Sequence, residues 1–198
     1  LQIENFIERH PEFAHSLLPL TYRDYAAPVV KAMIEAGRVA SVGPMAAVAG
    51  TIAEFVGRGL LGRGCREVVV ENGGDIFLHR LQDCVVAIFA GESPLSMKIG
   101  LQIPVAMMPA AICTSSGTVG HSLSFGAADS VTVLARSAPL ADAVATRLGN
   151  EVGEGAGGSS GIDRALLLGK NIAGVLGVVV ICDEKIGAVG AVELVDIG

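Results

Sequence analysis

The chain has 198 residues, 51% of them apolar and only 4% aromatic, with 14 basic and 20 acidic residues giving a formal net charge of −6. That length supports a single domain with a sizeable aliphatic core. The acidic balance and the lack of a Lys/Arg cluster argue against a nucleic-acid partner, which needs a basic face. A nucleotide stays open to such a chain if a metal and backbone N–H groups neutralise its phosphates. The four cysteines (Cys65, Cys84, Cys113, Cys182) form no CxxC pair, which argues against a zinc site and reads as reduced, buried thiols of a cytoplasmic protein. Mean hydropathy is +0.57, yet the best candidate span, Val39 to Val56, holds Pro44, glycines and Glu54. It falls short of the roughly 20 apolar residues a span needs, so no membrane partner is expected. No signal-peptide pattern is read in the given residues, and the lack of a starting Met leads to the expectation that native N-terminal residues are missing.

In chain order, Ile3, Phe6 and Ile7 give Gln2 to Arg9 helical spacing, His10-Pro11 breaks it, and a short turn runs on to Leu18. Pro28 fits the first position of a helix to about Ala36, with Gly37 as its C-cap. Residues 1–40 therefore read as a helical cover on a core of residues 41–198. Pro44 opens an apolar helix from Met45 to Leu61 with small residues on most turns. Its start suits either close packing or a phosphate at a helix N-terminus.

Arg66 to Glu71 and Ile76 to His79 read as strands joined at Asn72-Gly73-Gly74-Asp75. Adjacent glycines there suit a hairpin turn; they also suit a ligand approaching the backbone, with Asn72 and Asp75 beside it. Strands follow at Asp83 to Ala90, Met97 to Ile103 and Ser130 to Arg136, with a loop flanked by Pro104 and Pro109. Ala138 to Leu148 reads as a helix, residues 151–161 as a glycine-rich connector, and Ser160 or Asp163 as the cap of a helix to Asn171. Gly174 to Ile181 and Ile186 to Leu194 form a hairpin turning at Asp183-Glu184-Lys185. No internal repeat is evident. Helices mixed with hairpin-linked strands argue for α+β, with mostly antiparallel strands.

The chemistry concentrates between Ile112 and Asn150. Small hydroxyl residues and glycines (Thr114, Ser115, Ser116, Gly117) lead to a single histidine, His121. Asp142 and Thr146 are four apart on the following helix and share a face. A carboxylate and a hydroxyl so placed offer two hard oxygens to one cation, which suits Mg²⁺ or Ca²⁺; a surface pair or a local backbone bond fits the same spacing. Ser115 and Ser116 lack a GxSxG elbow and do not read as hydrolase nucleophiles. Cys113 reads as core.

NGGD (Asn72 to Asp75), TSSG (Thr114 to Gly117), His121 and ADxxAT (Ala141 to Thr146) come in that order. The set resembles the ApbE-like family of flavin transferases. VGPMAAVAG (Val42 to Gly50), ENGGD and CTSSGTVGHSLSFG (Cys113 to Gly126) look closest to its short, functionally uncharacterised cytoplasmic branch. The resemblance spans roughly residues 40 to 195. It implies an α+β helix-and-sheet core in which Asp142 and Thr146 bind Mg²⁺, helped by a backbone carbonyl from about Gly43 to Ala47. It also implies FAD as substrate, FMN passed to a threonine hydroxyl of an acceptor protein with AMP leaving, and His121 as base. The expected cofactor-contacting positions are Gly43, Asn72, Gly73, Gly74, Asp75, Thr114, Ser115, Ser116 and Gly117.

Two departures keep other readings open. The transferases carry a lysine where this chain has Val48 or Ala49, and Ser122 to Phe125 replaces an Asp-Pro loop after the histidine. The alternatives are a non-catalytic module holding a flavin or another small ligand, and an assembly protein whose apolar surfaces serve homo-oligomerisation.

Overall fold

The computed structural model describes residues 2–21, 25–117, 128–152 and 159–198. Helices α1 (Gln2–Arg9), α2 (Glu12–His15) and α3 (Pro28–Ala40) open the chain. A 3-10 turn, Pro44–Ala47, leads into α4 (Val48–Gly62). Five strands follow, β1 (Val68–Asn72), β2 (Asp75–His79), β3 (Cys84–Ala87), β4 (Ile99–Ile103) and β5 (Ala110–Ser115). After β6 (Ser130–Ala135) come α5 (Ala138–Glu151), α6 (Ser159–Lys170), β7 (Val175–Cys182), β8 (Lys185–Gly190) and β9 (Leu194–Asp196).

All pairings among these strands are antiparallel. A six-stranded sheet runs β1-β2-β5-β6-β7-β8, and a separate three-stranded sheet runs β3-β4-β9. The large sheet is covered on both faces. Phe77, Cys113, Val131, Val133, Val178 and Val180 belong to the core shared with the helices. Their neighbours Leu78, Ile112, Leu134, Val179 and Ile181 belong to the core shared with the small sheet. The result is three layers, helices on a large sheet on a small sheet, and the expected α+β class holds.

Several expectations are corrected. No strand is expected between the loop flanked by Pro104 and Pro109 and Ser130, yet Ala110–Ser115 forms β5, a central strand whose first four residues are all buried. A strand covered on both faces reads as an unbroken apolar run, so the period-2 signal is missing. The last expected strand divides: β8 stops at Gly190, at φ 89°, and the chain crosses to the other sheet as β9. Helix α3 runs on to Ala40, and Ser41, at φ 60°, takes the left-handed position expected of Gly37. Gly37 is a contact point instead, since a Cβ there would lie 2.8 Å from the Val42 carbonyl oxygen. Cys65 is exposed rather than buried.

The N-terminal segment carries the three helices α1, α2 and α3. Phe6 and Phe13 meet edge to face with ring centroids 5.1 Å apart, and α3 buries Val30 and Met33. The helical stretch Pro44–Gly62 extends beyond the expected apolar run. By length and composition alone it would suffice to cross a membrane, and a third of its apolar window is buried here. In this fold it packs chiefly against α3, α5, β1 and β2.

Glycine spacing in α4 sets how closely its neighbours approach. A Cβ at Gly50 would come within 2.5 Å of the Ala138 carbonyl oxygen, and one at Gly57 within 2.2 Å of the Phe77 ring, whereas one at Gly59 would meet nothing within 4 Å. Gly50→Ala should therefore cost about 1–3 kcal/mol by forcing the helices apart. Gly59→Ala should add about 0.5–1 kcal/mol, because only backbone entropy changes. Urea unfolding of both variants against the parent protein checks the opposite signs.

Candidate functional site

The site starts from the way α4 and α5 solve a common problem. A helix's first turn leaves N–H groups without intrahelical acceptors. The Gly50 N–H, in the first turn of α4, donates to Asp142 Oδ2 at 2.9 Å, and the Ala49 N–H also favours the charged carboxylate. Asp142 belongs to α5. In return Glu54 of α4 accepts the Ala138 N–H, the first of α5, at 2.6 Å, while Arg58 holds its other oxygen at 2.6 Å. Each helix thus carries the carboxylate that caps the other, and each negative charge faces a helix N-terminus, where the macrodipole favours it.

The β1–β2 hairpin forms the opposite wall. Asn72 pairs with Asp75 across a two-residue turn, with Gly73 and Gly74 at φ 66° and 97°, values that glycine accepts without strain. The Asn72 side-chain amide donates to the Ala49 carbonyl oxygen at 3.2 Å, which ties the hairpin tip to the start of α4.

Asp75 opens β2 on the same face as Phe77, toward the helices. It is only 6% exposed, and its Oδ1 has no hydrogen-bond partner. Burial pushes the Asp75 carboxyl up to about 7, against smaller opposing effects of the Cys113 thiol and the Thr114 N–H. Burial also raises Asp142 well above the ordinary carboxylate range, and the charge of Asp75 adds to it. The same burial and the same two charges push the Cys113 thiol up. That keeps it protonated and a poor nucleophile, as expected of a core cysteine.

A cleft of about 580 Å³ opens where the three layers meet. Ala49, Asp142 and Thr146 form its helix side, and Glu71 to Asp75 its hairpin side. Thr114, Ser115, Ser116 and Thr132 supply hydroxyls, with Thr114 and Thr132 joined at 3.0 Å. Val86, Ile88, Phe89, Met97 and Ile112 form an apolar wall, of which Phe89 and Met97 are each 53% exposed. The fold therefore brings together Asn72, Gly73, Gly74, Asp75, Thr114, Ser115, Ser116, Asp142 and Thr146.

Two expected positions stand apart. Gly43 is packed beneath the chain leaving α2, where a Cβ would overlap the Ser16 carbonyl oxygen, and its own oxygen accepts the Ala46 N–H. Gly117 donates its N–H to the Ala128 oxygen at 2.9 Å and is not part of the cleft wall. His121 lies outside the described residues. Sequence reasoning missed the roles of Gly50 and Glu54, whose partners Asp142 and Ala138 lie on a distant helix, and it missed the apolar wall from Val86 to Met97.

The donor set is all oxygen, which fits a hard cation. Among the described residues no group of three or more His, Cys, Asp or Glu side chains could enclose a metal. Such a site would leave coordination positions to a ligand's oxygens or to water, as Mg²⁺ sites usually do.

The cleft of this α+β domain thus sets two carboxylates and a hydroxyl against an apolar wall. The family model described as AbpE bacteria matches residues 1–188, and the chain belongs to this ApbE-like family. A UPF0280 protein of Methanococcus aeolicus is 44% identical over 193 residues, covering 96% of this chain and 77% of its own length. One from Methanocaldococcus jannaschii is 38% identical over 198 residues, covering 98% and 80%. Among solved structures, the ApbE protein of Thermotoga maritima shares the fold at a TM-score of 0.56 and 16% identity, over 74% of this chain. This chain spans 50% of that protein's length.

Asp75 and Asp142 ionise less readily in the folded chain than in the unfolded one. Below the ordinary Asp value of 3.8 both states hold the proton and nothing is lost. As pH rises toward about 7 the unfolded chain releases the proton first, so this contribution to stability falls away. In cation-free buffer, Asp75→Asn should therefore gain stability over the parent protein as pH increases through that window. Urea midpoints measured along the pH series check it.

Proposed function

We propose that the chain is a divalent-cation-dependent flavin-nucleotide-binding protein that transfers FMN from FAD to a hydroxyl of an acceptor protein. The observation that carries the reading is one cleft lined by Asp142 and Thr146 of α5, by Asp75 of the hairpin and by an apolar wall. No Lys, Arg or His is among the described residues of that wall, so an anionic diphosphate needs a cation to enter.

Asp142 and Thr146 are the residues that would hold Mg²⁺, which when bound neutralises diphosphate charge and eases P–O cleavage. Asp142 is suited to this because the Gly50 N–H fixes one of its oxygens and leaves the group oriented. Gly73 and Gly74, without side chains, let a diphosphate approach the hairpin backbone. The Thr114 and Thr132 hydroxyls offer hydrogen bonds to polar ring edges or ribose. Phe89, Met97, Val86 and Ile88 offer a flat apolar surface for an isoalloxazine or adenine ring.

In the transfer, the bond between the FMN phosphorus and the AMP oxygen breaks and a bond from the acceptor hydroxyl oxygen to that phosphorus forms. The hydroxyl proton goes to a base, the role His121 matches by resemblance.

The test is incubation with FAD, Mg²⁺ and a threonine-bearing acceptor protein, read by AMP release and by the acceptor's mass. Product is expected from the parent protein. Asp142→Ala and Thr146→Val should lower the rate by about 100-fold or more, the scale of a lost charge-stabilising contact. His121→Ala should abolish transfer while leaving FAD bound. A parent protein that releases no AMP overturns the transfer, and one that also binds no FAD overturns the proposal as a whole.

Ala49 favours a second reading. It stands in the segment where the transferases carry a lysine, and its backbone oxygen is taken by Asn72. A non-catalytic flavin carrier would bind FAD with Mg²⁺ and release no AMP.

A further inference from the structure

We propose that Asp75 is a second carboxylate donor to the cation held by Asp142 and Thr146, so that the β1–β2 hairpin and α5 grip it from opposite sides. The inference rests on the cation site of the proposed function and assigns it a residue from a different element.

The hairpin does not need this side chain. Gly73 and Gly74 supply the turn geometry, and the register closes through the backbone pairing of Asn72 with Asp75. Packing does not explain it either, because its face of the sheet continues with buried Phe77 and, on the next strand, Ala111 and Cys113. A carboxylate that is 6% exposed, with Oδ1 lacking any partner, is costly to keep in such surroundings. It lines the same cleft as Asp142 and Thr146, and Asp142 feels its charge.

With no basic side chain among the described residues of the cleft wall, no full positive charge there offsets the two carboxylates. A small dication accounts for both: it satisfies the orphaned oxygen and turns mutual repulsion into shared attraction. The same arrangement makes binding ordered, because a diphosphate meets two negative groups until the cation is in place.

The experiment measures Mn²⁺ affinity by electron paramagnetic resonance, alone and with ADP as a diphosphate probe, for the parent protein, Asp75→Asn and Asp142→Asn. Thermal melting in chelator is followed in parallel. Asp75→Asn should weaken Mn²⁺ binding at least about tenfold, the loss typical of removing even an outer-shell partner. Its cation-free melting temperature should equal or exceed that of the parent, because the sealed charge is gone. Asp75→Ser must show the same loss of affinity and stands in if the Asn variant does not fold.

Parent-like Mn²⁺ affinity in Asp75→Asn, with affinity lost in Asp142→Asn, overturns this inference and leaves the cation site intact. A parent protein that binds no Mn²⁺, or three proteins of equal affinity, overturns the cation site and this inference with it.

Discussion

The exchange of caps between α4 and α5 is the interaction on which the rest depends. Asp142 receives N–H groups from the start of α4, and Glu54 receives the first N–H of α5. Two partly buried carboxylates are thereby given work that helices always have to offer, and the two helix starts are locked side by side. Gly50 makes the distance possible, since any side chain there would strike the Ala138 oxygen or the Asp142 Cβ. The cleft inherits its helix wall from this crossing: Ala49, Asp142 and Thr146 all sit at or beside it.

Capping also explains how so buried an acid can remain useful. Asp142 is pushed toward its neutral form by burial and by the neighbouring charge of Asp75, and pulled back by the N–H groups of Gly50 and Ala49. Asp75 has weaker help, from Cys113 and Thr114, against the same burial. The hairpin and the helix layer therefore bring unequal partners to one cleft, one acid well supported by backbone and one left partly unsupplied. Natural folds tolerate such a local cost where a site needs it.

Much of this was legible in the sequence, and the physical reasons for the rest differ from element to element. The Asn72–Asp75 turn and the Asp142/Thr146 face could be read because each is local: positive φ at two glycines in one case, a helical step of four in the other. Helix α3 was read short because Gly37 resembles a cap, yet only the contact with Val42 shows why a small residue is required there. Strand β5 left no alternation to see, because it is buried on both faces. The role of Glu54 was invisible for another reason: its partner, Ala138, is on a different helix, and no spacing rule links them. Gly43, expected near the ligand, serves the passage of the chain after α2. A small residue in a motif marks close approach without saying what approaches.

The small sheet has one further consequence. Its third member, β9, follows every other strand in the chain, and Ile99 of β4 finds Asp196 of β9 only across most of the core's sequence. Contacts of such long range are slow to form, because the intervening chain must first lose its freedom. The acidic half of the cleft has the same character, since the Gly50 N–H and Asp142 are 92 residues apart in the chain, and only the β1–β2 hairpin is local. During folding the hairpin can therefore stand alone, whereas both walls of the cleft wait for distant segments to meet.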